Sequence, residues 1–358
     1  MTSSSSSTIR TLRLRLKDKH SAFLRAQARE VNFVWNFCNE LAVKVLEREG
    51  RFCSNIELDR YTSGATKVGL SLHSQTVQAI SKELVTRRRQ FNKRRLAWRK
   101  SGGARRSLGW VPFKASALRY RQGQLWYCGQ PFSLWDSYSL SQFELGPGSF
   151  SEDSRGRWYL NVTVKFSKPA RSTTTREVGI DLGLKDFAAL STGETLEANR
   201  FYRDLEPALA MAQRANKKQR VKALHAKIAN RRKDALHKFS TTLAREYGAI
   251  FVGNVNAAAL AKTGMAKSVL DAGWRAFRTM LQYKCADAGV WFEEVNEAFS
   301  TQTCSCCGSR TGPKGVAGLG IRGWQCCACN AEHDRDVNAA KNILARGRAG
   351  LAAGIPAL

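Results

Sequence analysis

Two hydrophobic periods take turns along the chain. At 11–16, TLRLRL sets Leu against Thr or Arg at period two, the pattern of a half-buried strand. Between 21 and 48 the period changes: Leu24, Val31, Trp35, Cys38, Ala42 and Val45 recur at spacings of three, four or seven, which gives one apolar helical face. The helical texture continues through 74–100. From about 108 to 170 strands return, most clearly in RGRWYLNVTVKF, where Trp158, Leu160, Val162, Val164 and Phe166 alternate with polar neighbours. The first strand and this set predict a small β-barrel around a helical insertion. KPARSTTTRE at 168–177 is a linker by composition.

Beyond the linker, EVGIDLGLKDFAAL predicts a buried strand, a turn at Gly183 and a second apolar run. Val221, Leu224 and Ile228 keep a helical stripe, IFVGNVN at 250–256 is a strand, Leu270, Trp274, Phe277 and Leu281 share one helical side, GVWFEEVNEAF is another strand, and DVNAAKNIL restarts a helix. Strand, helix, strand over 250–297 is a crossover unit, which makes its two strands parallel with their C-terminal ends on one edge. Ligands sit at that edge in open α/β sheets.

Candidate chemistry follows from where the apolar runs surface. GIDLG surfaces at Asp181 and HDRDVN at Asp336, whereas IFVGNVN surfaces at Gly253 and Asn254. Two-metal phosphodiester hydrolysis needs several hard oxygen ligands around magnesium or manganese. A carboxylate moved to the end of the neighbouring strand shifts sideways by about 4.8 Å, a span a Glu side chain covers. Glu297, at the end of the next strand, is therefore the expected third acid. The plainer alternatives remain open at this stage: an Asp after an apolar strand also forms turns, and Asp334 or Asp336 also suits a helix N-cap.

Charge narrows the partners. The 358 residues carry 58 Lys+Arg against 29 Asp+Glu, a net +29 that self-repels unless a polyanion neutralises it. Eleven Lys/Arg with one acid, Glu83, fall within 82–106, and ten with Asp234 fall within 214–238. Solvated helix faces mix signs, and these do not. Arg87, Arg88, Arg89, Lys93, Arg94 and Arg95 in the first run, with Lys217, Lys218, Arg231, Arg232 and Lys238 in the second, are the candidates for nucleic-acid contact. No run is long and apolar enough to span a bilayer and the Ser-rich start lacks the apolar core of a signal peptide, so a soluble, cytoplasmic, nucleoid-associated chain without a membrane partner is expected.

Six of the ten cysteines cluster within 304–329. Cys304 with Cys307 and Cys326 with Cys329 are two C-x-x-C pairs separated by eighteen residues, the spacing of a tetrahedral thiolate zinc site. Four thiolates close the coordination shell, so the zinc is expected to be structural, with Cys306 and Cys327 spare. The clip also shortens the excursion between Glu297 and Asp336.

GIDLGLKDFAAL, NRRKDALHK, VNEAFSTQTCSCCG and CCACNAEHDRDVNAAKNIL together resemble the TnpB proteins of insertion-sequence transposons, relatives of the type V CRISPR effectors with a RuvC (RNase H-like) nuclease core. The resemblance is dense over roughly 175–345 and thinner before it, where it rests on the basic strand-helix-strand plan and on WVPFK at 110–114. It implies RNA-guided, magnesium-dependent cleavage of double-stranded DNA beside a short transposon-associated motif, with a guide RNA transcribed from the element's own end. By the same resemblance Asp181 matches the first RuvC acid and Asp336 the last. Most members place Glu where Gly253 stands; some members, and the related Fanzor proteins, carry it instead on the next strand just before the zinc cysteines, the place of Glu297. The first basic run would line a guide–target duplex through phosphates, which position it without reading sequence. The stretch 52–80, with Tyr61, Ser74 and Gln75, is the expected reader of the adjacent motif.

The expected fold class is therefore α+β and multidomain. An N-terminal wedge β-barrel, 1–20 and 108–170, carries a helical recognition insertion, 21–107. An RNase H-like (RuvC) α/β core, 171–302, carries a zinc-ribbon insertion, 303–332, and is completed by a final helix, 333–345, and a tail, 346–358. The expected function is an RNA-guided DNA endonuclease, one chain with one RNA, using Mg2+ (or Mn2+) and a structural Zn2+. A nuclease-inactive guided repressor, which Gly253 alone would favour, predicts occupancy without cutting. A transposase using the same acids predicts strand-transfer products.

Overall fold

The computed structural model describes residues 7–352 except 66, 68, 122, 168–171, 256–265 and 315–316. The chain divides into two units, Met1–Ser167 and Lys168–Leu358. In the first, β1 (Ser7–Arg15), β2 (Trp110–Phe113), β6 (Leu145–Glu152) and β7 (Trp158–Ser167) form an antiparallel sheet in the order β1-β7-β6-β2. The period-two pattern sets the register: Leu12 faces Val162, Leu14 faces Leu160, and all four are buried. A smaller sheet of β3 (Leu118–Arg121), β4 (Gln124–Tyr127) and β5 (Gln130–Phe132) shares the core through Phe113, Tyr127, Phe132 and Phe150. Where a barrel was expected, the described residues form two sheets over one core, with a bridge between Leu16 and Leu134 linking them.

Helices α1 (Ser21–Glu49), α2 (Asn55–Tyr61) and α3 (Ser74–Phe91) complete this unit, and the apolar stripe predicted for α1 is buried throughout. The second helical stretch stops short of expectation. Asn92 turns left-handed (φ 45°) and ends α3, and the chain then runs extended along α1. There Asn39 exchanges hydrogen bonds with the backbone of Leu96 (2.8 and 3.2 Å) and Asn36 with that of Arg99 (2.9 Å each), so α1 supplies the backbone partners that a continued helix would have made internally.

The second unit centres on a five-stranded sheet of β8 (Glu177–Leu182), β9 (Asp186–Leu190), β10 (Thr195–Glu197), β11 (Ala249–Gly253) and β12 (Trp291–Val295), ordered β10-β9-β8-β11-β12. Strands β8, β11 and β12 run parallel, as the crossover required. Helices α4 (Glu206–Arg214), α5 (Lys218–Glu246), α6 (Ala266–Ala272) and α7 (Trp274–Ala288) precede β12, and α8 (Arg335–Ala352) follows the cysteine-rich segment. Val178, Ile180, Ile250 and Val252 face a core built with α5 and α7, while Phe251 and Val295 face Ile343 of α8.

Close approach of α8 depends on missing side chains. A Cβ on Gly179 would strike the Ala340 carbonyl, and one on Gly347 would strike the Phe251 ring. Two details depart from the periodic reading. Gly273, at φ 73°, separates α6 from α7, so the phase breaks: Trp274, Phe277 and Leu281 are buried, but Leu270 is exposed and Val269 packs inward. Helix α8 runs past 345 to Ala352, and the rest of the predicted tail, like residues 168–171 of the predicted linker, lies outside the described residues.

Candidate active site

Strand parity places the acids. Asp181 is two residues beyond Gly179, Gly253 two beyond Phe251, and Glu297 two beyond Val295, so all three project toward the α8 side of the sheet at its C-terminal edge. Strand β12 ends at Val295, and Glu297 lies just past it, its backbone N–H donating to Asn254 Oδ1 at 3.3 Å. The decisive contact is at Gly253: a Cβ built there would collide with Oε2 of Glu297. A side chain at position 253 would therefore compete for the space that the Glu297 carboxylate occupies.

Asp336 enters from the first turn of α8. Asp334 caps that helix, accepting from the backbone N–H of Asp336 (3.0 Å) and Val337 (2.9 Å), which leaves the Asp336 carboxylate free of the capping role. Burial, followed by the charges of Glu297 and Asp336, pushes Asp181 up to about 7, with Arg335 and Arg322 opposing. Burial also raises Glu297, against the nearby Arg278. Three carboxylates at one sheet edge are hard oxygen donors of the kind a divalent cation takes, but among the described residues their oxygens do not all lie within 4.8 Å of one another, and Asp336 is held by Arg322.

Arg322, which the sequence did not single out, donates to the Asp336 carboxylate. It arrives on the short hairpin of β13 (Gly323–Gln325) and β14 (Glu332–Asp334), and its carbonyl accepts from the Arg335 N–H at 2.7 Å. One arginine among many carries no signal before the hairpin is seen.

The four cysteines meet as the spacing predicts. Their Sγ atoms lie within 4.8 Å of one another, with Cys304–Cys329 and Cys307–Cys326 both at 3.7 Å. A tetrahedron with Zn–S bonds of about 2.3 Å has edges of about 3.8 Å, close to these two separations, so the cluster suits zinc. Gly308 (φ 79°) and Asn330 (φ 60°) make the two knuckle turns, donating to the Cys304 (2.9 Å) and Cys326 (2.8 Å) carbonyls. The Thr311 hydroxyl donates to Cys326 at 3.2 Å and holds that thiol down to about 6, which favours the ligating thiolate. Cys306 and Cys327 are exposed. Buried His333 was missed: its Nε2 lies 3.0 Å from Cys304 Sγ.

Two further buried residues of α8 tie the clip to the acids. Asn338 and Asn342 both donate to the Thr303 carbonyl, at 2.8 and 2.7 Å, and Asn342 also to that of Ser300 at 2.8 Å. The helix that carries Asp336 therefore grips the backbone that leads into Cys304.

The basic candidates separate. Arg89, Lys93, Arg94, Arg95, Lys217, Lys218 and Arg231 are exposed. Arg87 and Lys238 are exposed but paired, with Glu83 at 2.7 Å and Asp234 at 2.8 Å. Arg88 is buried, donating to the Arg94 carbonyl beneath the Phe52 ring, and Arg232 is tied to Asp271. Arg88 is thus less accessible than its neighbours in the basic run, and Arg232 is half-buried.

Comparison with known proteins bears directly on this arrangement. A family model described as "Cas12f1-like, TNB domain" matches residues 274–343, and one described as "Probable transposase" (OrfB_IS605) matches residues 160–264. A protein of Streptomyces pristinaespiralis named "Putative RNA-guided DNA endonuclease" is 34% identical over 298 residues, covering 78% of this chain and 73% of that one. The chain belongs to the TnpB family. InsQ of Escherichia coli (strain K12), which carries the same description, is 30% identical over 56% of each chain. Among solved structures, a Cas12f1–sgRNA–target DNA complex shares the fold at a TM-score of 0.59 and 11% identity, over 94% of this chain and 98% of that one. Among the described residues of this TnpB family member, no helix is long and apolar enough to cross a membrane.

Proposed function

We propose that this TnpB family member is an active RNA-guided DNA endonuclease of an insertion-sequence transposon, cutting double-stranded DNA beside a short transposon-associated motif in the cytoplasm. The observation that carries this reading is the Glu297 carboxylate standing where a side chain at 253 would otherwise project. With it the site has three acids; without it, two. Asp181, Glu297 and Asp336 would hold the divalent ions, whose chemistry would be to activate water and neutralise charge on the scissile phosphate. Arg322, paired with Asp336, brings a fixed positive charge to the same place, one whose geometry suits a phosphate oxygen. The sheet order supports a RuvC-like core for residues 171–302 and 333–345, and the cysteine clip, holding a structural zinc, fixes α8 against the loop after β12.

Guide RNA and target DNA are the partners that a +29 chain of this family accommodates, one RNA with one chain. Base pairing supplies specificity, and exposed Arg and Lys grip phosphates. Residues 52–80 remain the proposed readers of the adjacent motif. The test is to purify the chain with its copurifying RNA, identify that RNA by sequencing, and present matching duplex DNA with magnesium. Cutting that Glu297→Gln abolishes while binding persists supports the proposal; intact DNA under saturating binding refutes it in favour of a guided repressor.

A further inference from the structure

Metal-ligating side chains gather into two sets among the described residues, and the four-thiol cluster uses only one of them. The other is Cys304, Cys306 and His333, whose two Sγ atoms and one imidazole nitrogen all lie within 4.8 Å of one another. The two sets overlap at Cys304 alone.

Both segments that carry the second set are anchored. Thr303 and Ser305 flank Cys304, and the Asn338 side chain holds both, donating to the Thr303 carbonyl at 2.8 Å and accepting from the Ser305 N–H at 2.9 Å. His333 is fixed from the hairpin: it pairs with Trp324 across β13 and β14, its ring 4.7 Å from the indole, and it is only 8% exposed. From there its Nε2 stands 3.0 Å from Cys304 Sγ. Cys306 is exposed, which leaves the set open to solvent on one side.

A hydrogen bond from His333 to a zinc-bound thiolate is the plainer account of the 3.0 Å contact. It explains His333 but gives Cys306 no part. Around a tetrahedral ion with bonds of about 2.3 Å to sulfur and about 2.0 Å to nitrogen, those two atoms stand about 3.5 Å apart, so the imidazole has only to withdraw by about half an ångström. Thiolate and imidazole together are a donor set that suits zinc.

We propose that Cys304, Cys306 and His333 bind a second zinc ion, with the Cys304 thiolate bridging it to the structural one. Three protein ligands, one of them shared, leave the fourth position to water and make this the weaker site, filled from added metal once the four-thiolate site is full. His333 precedes Asp334, which caps α8, so the second ion fastens the first knuckle to the strand that leads into the helix carrying Asp336. The inference rests on the proposed function only for the zinc at the four-thiol cluster.

The test uses the full chain with its copurified RNA, its zinc exchanged for Co2+, because thiolate-bound tetrahedral cobalt absorbs visible light far more strongly than cobalt held by RNA phosphates. Added Co2+ should raise that absorption in two steps, one equivalent each. Two cobalt ions joined through one sulfur couple magnetically, so the low-temperature EPR signal of the first should fade as the second enters. Cys306→Ser, at an exposed position, should keep the first step and weaken the second by more than about 10-fold, the loss that even an outer partner of a ligand brings. His333→Gln should act in the same way. A single step in the wild-type chain, with its EPR signal intact, overturns the inference and leaves the structural zinc standing; so does a second step that persists in Cys306→Ser. No thiolate-bound cobalt at all overturns both.

Discussion

Adding one methyl group at position 253 isolates the displaced glutamate from everything else in the molecule. In Gly253→Ala the new Cβ would overlap Glu297 Oε2 and lie 3.1 Å from Ile343 Cδ1 and 3.3 Å from Glu297 Cβ. The end of a flexible side chain yields easily, so the expected loss of stability is modest, about 1–2 kcal/mol. The site does not yield so easily. Restoring an ordinary contact moves the carboxylate on the order of 1 Å, a displacement that costs about 100-fold in rate, or roughly 2.7 kcal/mol in the barrier. Single-turnover cleavage by the guide-loaded chain, with DNA binding and melting measured alongside, reads these effects separately. Wild-type cutting by Gly253→Ala would refute the reasoning. A second arm moves the acid back: Gly253→Glu in a Glu297→Ala background should cut at least about tenfold faster than Glu297→Ala alone, since what matters is where the carboxylate stands.

The remaining predictions concern protons, zinc and packing. Because Asp181 is raised from 3.8 to about 7, magnesium binding must expel a proton below that pH, so apparent magnesium affinity should climb from pH 6 and level off above about 7. Calorimetry at pH 6 in two buffers of different ionisation enthalpy should show proton release, and none would contradict the cluster. The sign for stability is opposite in the magnesium-free chain: the folded state keeps a proton that the unfolded chain gives up near 3.8, so this contribution is present below about pH 4 and lost as pH rises to 7. Denaturation profiles without magnesium, with zinc retained, check that direction. Metal analysis should give about one zinc per chain, falling sharply in Cys307→Ser and holding in Cys327→Ser. Asn342→Ala, which strips donors from the Ser300 and Thr303 carbonyls, should cost about 1–3 kcal/mol and speed zinc loss to a chelator.

What the sequence disclosed was whatever periodicity and ligand spacing encode. Alternation in TLRLRL and RGRWYLNVTVKF set the β1–β7 register, and the crossover unit made β11 and β12 parallel, which is why Glu297 could be named from a gap at Gly253. The spacing of two C-x-x-C pairs foretold the four-thiol cluster, whereas the second set that shares Cys304, with Cys306 and His333, was not foreseen. Features that depend on tertiary contacts stayed hidden. Arg88 and Arg94 look alike in a basic run, yet one is buried and the other exposed, because helix phase is lost at Asn92. Leu270 follows its helical stripe until Gly273 resets it. Arg322, His333 and Asn342 are ordinary residues until the hairpin and α8 bring them to Asp336, Cys304 and Thr303.

The central claim, that a glutamate from the strand beside Gly253 completes a cation site with Asp181 and Asp336, is tested most directly by locating the ion. Anomalous diffraction from manganese in crystals of the guide-loaded chain with target DNA should place Mn2+ in contact with the carboxylates of all three residues. Manganese bound by Asp181 and Asp336 with the Glu297 carboxylate turned away, or no manganese among them at all, would contradict the account.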